Sequence, residues 1–210
     1  MAYLLEPVNE PYDPKEPLPT PLGFTAGTEA FFGSDLALKR EFRPVPAEQL
    51  PRNVVVGGNR PMPDFFRLAA DHYYVSSRFR AVVERYAPAA VEYIEVLFAI
   101  PASKNPADAY YFINVMGRGQ LIDWDASLKR GPTSGVGGKR YYSLRRPPDQ
   151  WAMRSPPPGH SAIWHEVDRE IDDFVYVGSG TRVFVTDALG RALEAAFPGQ
   201  VRLSPIRELP

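Results

Sequence analysis

Cysteine is absent from this chain of 210 residues, and its absence excludes disulfides, thiolate metal sites, cysteine nucleophiles and thiol redox chemistry together. Histidine is scarce, at His72, His160 and His165, which with no cysteine argues against a structural zinc site. Neither sign of charge is in excess: 24 Lys and Arg face 25 Asp and Glu, a net charge of −1, so the basic footprint of a dedicated nucleic-acid binder is missing. No stretch approaches the about 20 apolar residues of a membrane span. Met1–Pro7 carries neither the basic nor the apolar region of a secretion signal. These absences predict a cytoplasmic protein with no cofactor and no metal, whose partner is neither nucleic acid nor membrane, present as a monomer or weak homodimer.

What the chain does have is apolar residues, 44 % of the total, enough for one sizeable core, and 23 prolines, eleven of them in the first 63 residues. Prolines at 7, 11, 14, 17, 19 and 21 remove backbone donors and exclude helix and central strand there. Residues 1–50 therefore read as an extended arm, packed on or preceding a single domain at 51–210. Tyr3, Leu4, Leu5, Tyr12, Leu18, Leu22 and Phe24 anchor it to the domain surface. The alternative is a ligand for an aromatic groove on a partner.

The domain repeats itself. Tyr74–Val96 and Phe184–Ile206 align without a gap at an offset of 110, with identity at Val75/Val185, Glu84/Glu194, Pro88/Pro198 and Val91/Val201. Each copy has an aromatic-Val strand end, a Ser or Thr, a helical stripe, a proline and a second apolar strand. Phe79, Val82, Val83 and Tyr86 stand at i, i+3, i+4 and i+7, as do Leu189, Ala192, Leu193 and Ala196, which puts each set on one helical face. Ser76 and Thr186, or Ser77 and Asp187, suit the N-caps; Pro88 and Pro198 stop the helices. Extended backwards through Asp64-Phe65-Phe66 and Asp173-Phe174-Val175, the units span 64–100 and 173–209, each strand–strand–helix–strand. Helices of this length are unstable alone and need a sheet.

Between the copies, Ala109–Met116 is an aromatic, β-branched strand whose natural partner is Val91–Ile100. Further strands are expected at Val54–Val56, Arg140–Leu144 and Ala162–Val167, a short helix at Phe31–Arg43, loops at Gly131–Lys139 and Pro147–Gly159, and a hairpin turn at Gly178–Gly180. The expected fold class is α+β, a mostly antiparallel sheet with a few short helices on one face.

The catalytic motifs the chain suggests are incomplete. Gly131–Arg140 lacks the glycine and hydroxyl that a phosphate loop needs at Thr133 and Arg140. His165-Glu166 begins a zincin pattern, but Arg169 stands where the second histidine belongs. An enzyme reading would use His165 with Glu166 or Asp168. Ile163–Asp173 holds Glu166, Asp168, Glu170, Asp172 and Asp173 against Arg169 alone. It is either a solvated strand edge that repels further strands or an acidic rim facing a basic partner. In the second reading Glu166, Asp168 and Glu170 bind the partner, with Trp164 and Trp124 as aromatic anchors.

The helix start V-S-S-R at Val75–Arg78, the strand Y-Y-F-I-N-V at Tyr110–Val115, Asp123 with Ser127, and F-V-T-D-A-L at Phe184–Leu189 resemble immunity family eleven, the bacterial polymorphic-toxin immunity proteins. The resemblance covers Pro63–Leu209. It implies a non-enzymatic protein that binds and blocks a cognate toxin protein, and it names no catalytic residue. The alternatives it competes with are a secreted effector or hydrolytic enzyme, and an adaptor working through the Pro-rich arm.

Overall fold

The computed structural model describes residues 1–8, 21–24, 53–56, 63–67, 73–99, 109–134, 139–144, 148–171, 174–177 and 182–209. In chain order its strands are β1 (Ala2–Pro7), β2 (Pro21–Phe24), β3 (Asn53–Val56), β4 (Phe65–Arg67), β5 (Tyr73–Ser76), β6 (Val91–Ala99), β7 (Tyr110–Val115), β8 (Arg118–Gly119), β9 (Lys129–Ser134), β10 (Arg140–Leu144), β11 (Ala152–Arg154), β12 (Ile163–Glu166), β13 (Arg169–Ile171), β14 (Phe174–Val177), β15 (Val183–Thr186) and β16 (Val201–Leu209). Two α-helices among the described residues, α1 (Ser77–Tyr86) and α2 (Asp187–Ala196), follow β5 and β15. The Phe31–Arg43 helix and the Gly178–Gly180 turn lie outside the described residues.

Three sheets result, with strand orders β11-β16-β1-β15-β12-β8, β13-β14-β10-β9 and β2-β3-β6-β7-β5-β4. Most neighbours are antiparallel; β10/β14, β11/β16, β12/β8 and β3/β6 are parallel. The protein is thus mixed α and β with mostly antiparallel sheets.

Period-two alternation separates two cores. From β1, β15 and β12, Leu5, Val183, Val185 and Ile163 enter one cluster, together with Phe79 and Val83 of α1, Leu189 and Leu193 of α2, and Phe65, Val75 and Ile113 of the other six-stranded sheet. Their alternate neighbours Leu4, Phe184 and Trp164 enter the second, with Trp151, Met153 and Leu144. Each sheet face is apolar because each has its own layer to cover.

The helices are short and depend on that burial. Ser76 caps α1 by accepting a hydrogen bond from Phe79 N at 3.2 Å on its Oγ. Thr186 makes no such side-chain bond, and α2 instead carries Asp187 in its first turn, where the helix dipole favours a carboxylate. Both end alike: Ala87 and Phe197 donate to Val83 and Leu193, a proline follows, and Ala89 and Gly199 then take positive φ of 62° and 73°. Phe79 stacks on Phe65 at 4.9 Å and meets Phe197 of the other unit at 5.2 Å.

The bounds of β5, α1 and β6 are those of β15, α2 and β16 shifted by 110 residues throughout. The backward extension fails. Phe65–Arg67 pairs with β5, but Phe174–Val177 joins β10 and β13 in the four-stranded sheet and leaves β15 alone. What flanks β15 is β12 on one side and β1 on the other.

That position corrects the arm. Residues 2–7 are not laid over a surface; they form a middle strand, antiparallel to β15 and to β16. Leu4 and Leu5 are 1 % and 0 % exposed. Pro7 is tolerated because it lies past Ala2–Leu5, the stretch paired with β15, so its missing N–H is not drawn from that ladder. Pro205, inside β16, lies outside the stretch paired with β11, Arg207–Leu209, so its missing N–H is not drawn from that ladder. The expected Pro147–Gly159 loop contains β11, and β9 takes the first part of the expected Gly131–Lys139 loop.

Phe79→Ala empties the point where both units meet. It is expected to lower unfolding free energy by about 3–5 kcal/mol, while Tyr86→Ala, at the end of the same helix and exposed although the spacing placed it on the buried stripe, changes it by less than about 0.5 kcal/mol. Urea titration of the two variants checks both.

Candidate partner-binding surface

Strand β12 carries the side chains that chemistry would single out, and its pleat distributes them. Successive residues point to opposite faces, so His165 and Glu166 cannot form a pair. His165 is 8 % exposed, and its Nδ1 lies 2.7 Å from the Arg182 carbonyl oxygen. This geometry does not bring His165 and Glu166 together as an acid–base pair.

Glu166 is 3 % exposed and is the acceptor at the centre of a knot. Its Oε2 accepts from Leu121 N at 2.8 Å and Ile122 N at 3.1 Å; Oε1 accepts from Trp164 Nε1 at 2.8 Å. The carboxylate so joins the 121–122 segment to the sheet. Burial holds the Glu166 carboxyl above its ordinary value, while the Trp164, Ile122 and Leu121 donors and nearby His160 pull it down. His160 stands edge-on to Trp164 at 4.9 Å. Gly119 makes the room: a Cβ there would sit 2.5 Å from Glu166 Oε1 and 2.6 Å from Trp164 Cδ1.

Three of the five expected partner-binding residues are therefore interior. Trp164 is 0 % exposed and Trp124 7 %, and Trp124 packs against Tyr176 at 5.2 Å. With Glu166 they offer no surface to a partner. Asp168 and Glu170 are exposed, beside exposed Arg169. Glu170 lies in β13, one edge of the four-stranded sheet, and Asp168 directly before that strand; Lys139 Nζ meets Glu170 Oε2 at 2.5 Å. An exposed pair of this kind contributes little stability and leaves the edge charged.

The residues that carry the family resemblance hold caps, turns and side-chain pairs. Ser76 Oγ donates to Asp64 Oδ1 at 2.5 Å. Asp64 in turn reaches the second unit: its N–H donates to Gln200 Oε1 at 2.6 Å, and Gln200 Nε2 donates to Asp64 Oδ2 at 3.1 Å. Asn114 Nδ2 donates to Glu92 Oε2 at 3.0 Å. Asp123 Oδ1 accepts from Asp125 N and Ala126 N at 3.1 and 2.9 Å, and Ser127 Oγ donates to Asp123 O and accepts from Ala152 N at 2.6 and 2.9 Å. The Asp64–Gln200 contact spans 136 residues, and no local pattern announces it.

Comparison with known protein families matches residues 24–207 to the Immunity protein family (Imm11). The chain belongs to this family. The matched span begins inside the stretch assigned from sequence to an arm. A search of curated proteins gives no match. Among the described residues no group of three or more His, Asp or Glu is placed to hold a metal ion, and no helix is long and apolar enough to cross a membrane.

The buried carboxyl gives a pH signature. Its folded-state pKa stands above the unfolded reference of 4.5, so the folded state keeps the proton longer. The group's contribution to stability is greatest below that reference and declines as pH rises towards the folded value, then levels. Glu166→Gln abolishes this titration and places an NH2 against a donor, at a cost of about 1–3 kcal/mol. The difference in urea midpoint, native minus Glu166→Gln, is expected to fall between pH 4 and neutrality; a flat difference contradicts the raised carboxyl.

Proposed function

We propose that this member of the Immunity protein family neutralises a cognate bacterial toxin by binding and blocking it, in the cytoplasm of a cell that carries a polymorphic toxin system. The observation that carries the reading is the family match over residues 24–207. The domain at 51–210, completed by β1, is the binding body, and exposed Asp168 and Glu170 on the β13 edge form part of the contact with a basic region of the toxin. Charge at such a rim acts mainly by steering association.

Co-expression with the toxin encoded beside its gene tests the proposal. The chain should restore growth and co-purify with the toxin in a one-to-one complex. A toxin that stays fully lethal and fails to co-purify overturns the function. Asp168→Lys with Glu170→Lys should weaken binding by about tenfold or more at unchanged melting temperature; undiminished affinity removes the β13 edge from the contact and leaves the function standing.

A further inference from the structure

The second unit is completed by a strand from the far end of the chain. In the first unit β7 lies between β5 and β6, pairing Ser76↔Tyr110 and Tyr74↔Phe112 on one edge and Val96↔Tyr110 and Val91↔Val115 on the other. In the second, β1 lies between β15 and β16, pairing Thr186↔Ala2 and Phe184↔Leu4, then Ile206↔Ala2 and Val201↔Pro7. Each residue of β1 takes the register of its counterpart in β7.

The flanking bonds repeat the match. Ser77 N donates to Ala109 O at 3.0 Å, and Asp187 N to Met1 O at 2.9 Å. Met116 N donates to Ala90 O at 2.8 Å, and Val8 N to Gln200 O at 3.0 Å. Side chains follow too. Arg80 stacks on Tyr111 and Tyr93 at 4.9 and 4.8 Å; at the matching position a Cβ on Gly190 would meet Tyr3 and Leu203 at 3.4 and 3.2 Å. Both units are split β-α-β arrangements with an antiparallel strand in the gap.

The two gaps are filled differently. β7 follows β6 in sequence. β1 meets residues remote from it, Tyr3 reaching Asp187 across 184 positions, and the sequence after it, with prolines at 11, 14, 17 and 19, lacks the donors of a local hairpin partner. The gap between β15 and β16 therefore recognises β1 as it would a separate strand: backbone ladders on both edges, Leu5 into one core and Ala2 and Leu4 into the other.

We propose that this gap is a strand-binding site, and that a second copy of this chain supplies Ala2–Pro7 to it in exchange for its own, forming a two-fold strand-exchanged dimer. The chain's own strand competes with the incoming one, so exchange is favoured by high chain concentration. Removing β1 breaks both ladders and opens two cores, so exchange requires unfolding and the dimer, once formed, persists on dilution.

Because the chain has no cysteine, engineered thiols report without background. Glu6 and Arg202 are register partners, and antiparallel partners stand about 4.5–5.5 Å apart at Cα, within disulfide range. Full-length chains carrying Glu6→Cys or Arg202→Cys singly are unfolded together in urea, refolded at concentrations up to about millimolar, diluted and oxidised with oxidised glutathione. The double variant serves as the within-chain reference. Expected are a 6–202 disulfide within the monomeric double variant and an interchain 6–202 disulfide between the single variants, identified by peptide mass and rising with refolding concentration. The unsubstituted chain refolded at the same concentrations should give a dimer fraction on sizing that survives dilution. Closure within the double variant with no interchain 6–202 linkage and no persistent dimer overturns the exchange; failure of a folded double variant to close removes β1 from the gap and overturns the site itself.

Discussion

The architecture depends on six residues paired along both edges. With β1 in place, β15 and β16 are parallel strands joined through α2 and bridged by an antiparallel neighbour; without it, neither would touch the other. Because β1 is apolar on both faces, it also closes both cores at once. Backbone bonds fix its register and side chains fix its facing, and a one-residue slip would turn Leu4 and Leu5 into the wrong layers.

Around that centre the two units divide the work. Their shared features are those that make a short helix viable on a sheet: a stripe of two buried residues, a stop by proline, and a turn at positive φ. Their differences lie where the units meet or where loops must be held. Asp64 and Gln200 tie the start of one to the turn of the other. Glu166, with three N–H donors around it, binds the 121–122 segment to β12 and is tolerated inside because each carboxylate oxygen is used.

A family of binding proteins suits such a body. The residues that mark the resemblance serve caps, turns and core, so they specify the frame and not the contact. The charges exposed at the β13 edge, Asp168 and Glu170, are not among them.

Local periodicity made much of this legible. The stripes Phe79–Val83 and Leu189–Leu193, the prolines behind them and the aromatic run at Tyr110–Val115 prescribe their elements from spacing alone, because helix and strand bury residues at fixed intervals. The same run of letters at Ile163–Asp173 reads as an acidic surface, yet Trp164 and Glu166 go inside, since which face of a strand is covered depends on what packs there. Ala2–Pro7 is too short, and too close to the proline-rich segment, to declare itself a middle strand. Its partners lie some 180 residues away, and pairing over that distance is chosen by the fit of whole layers. The chain's own pattern thus determined the two helices and the strand on either side of each; the assembled sheets alone decided which strand fills the gap, which acid is buried and which stays exposed, because burial is a property of neighbours that no local segment contains.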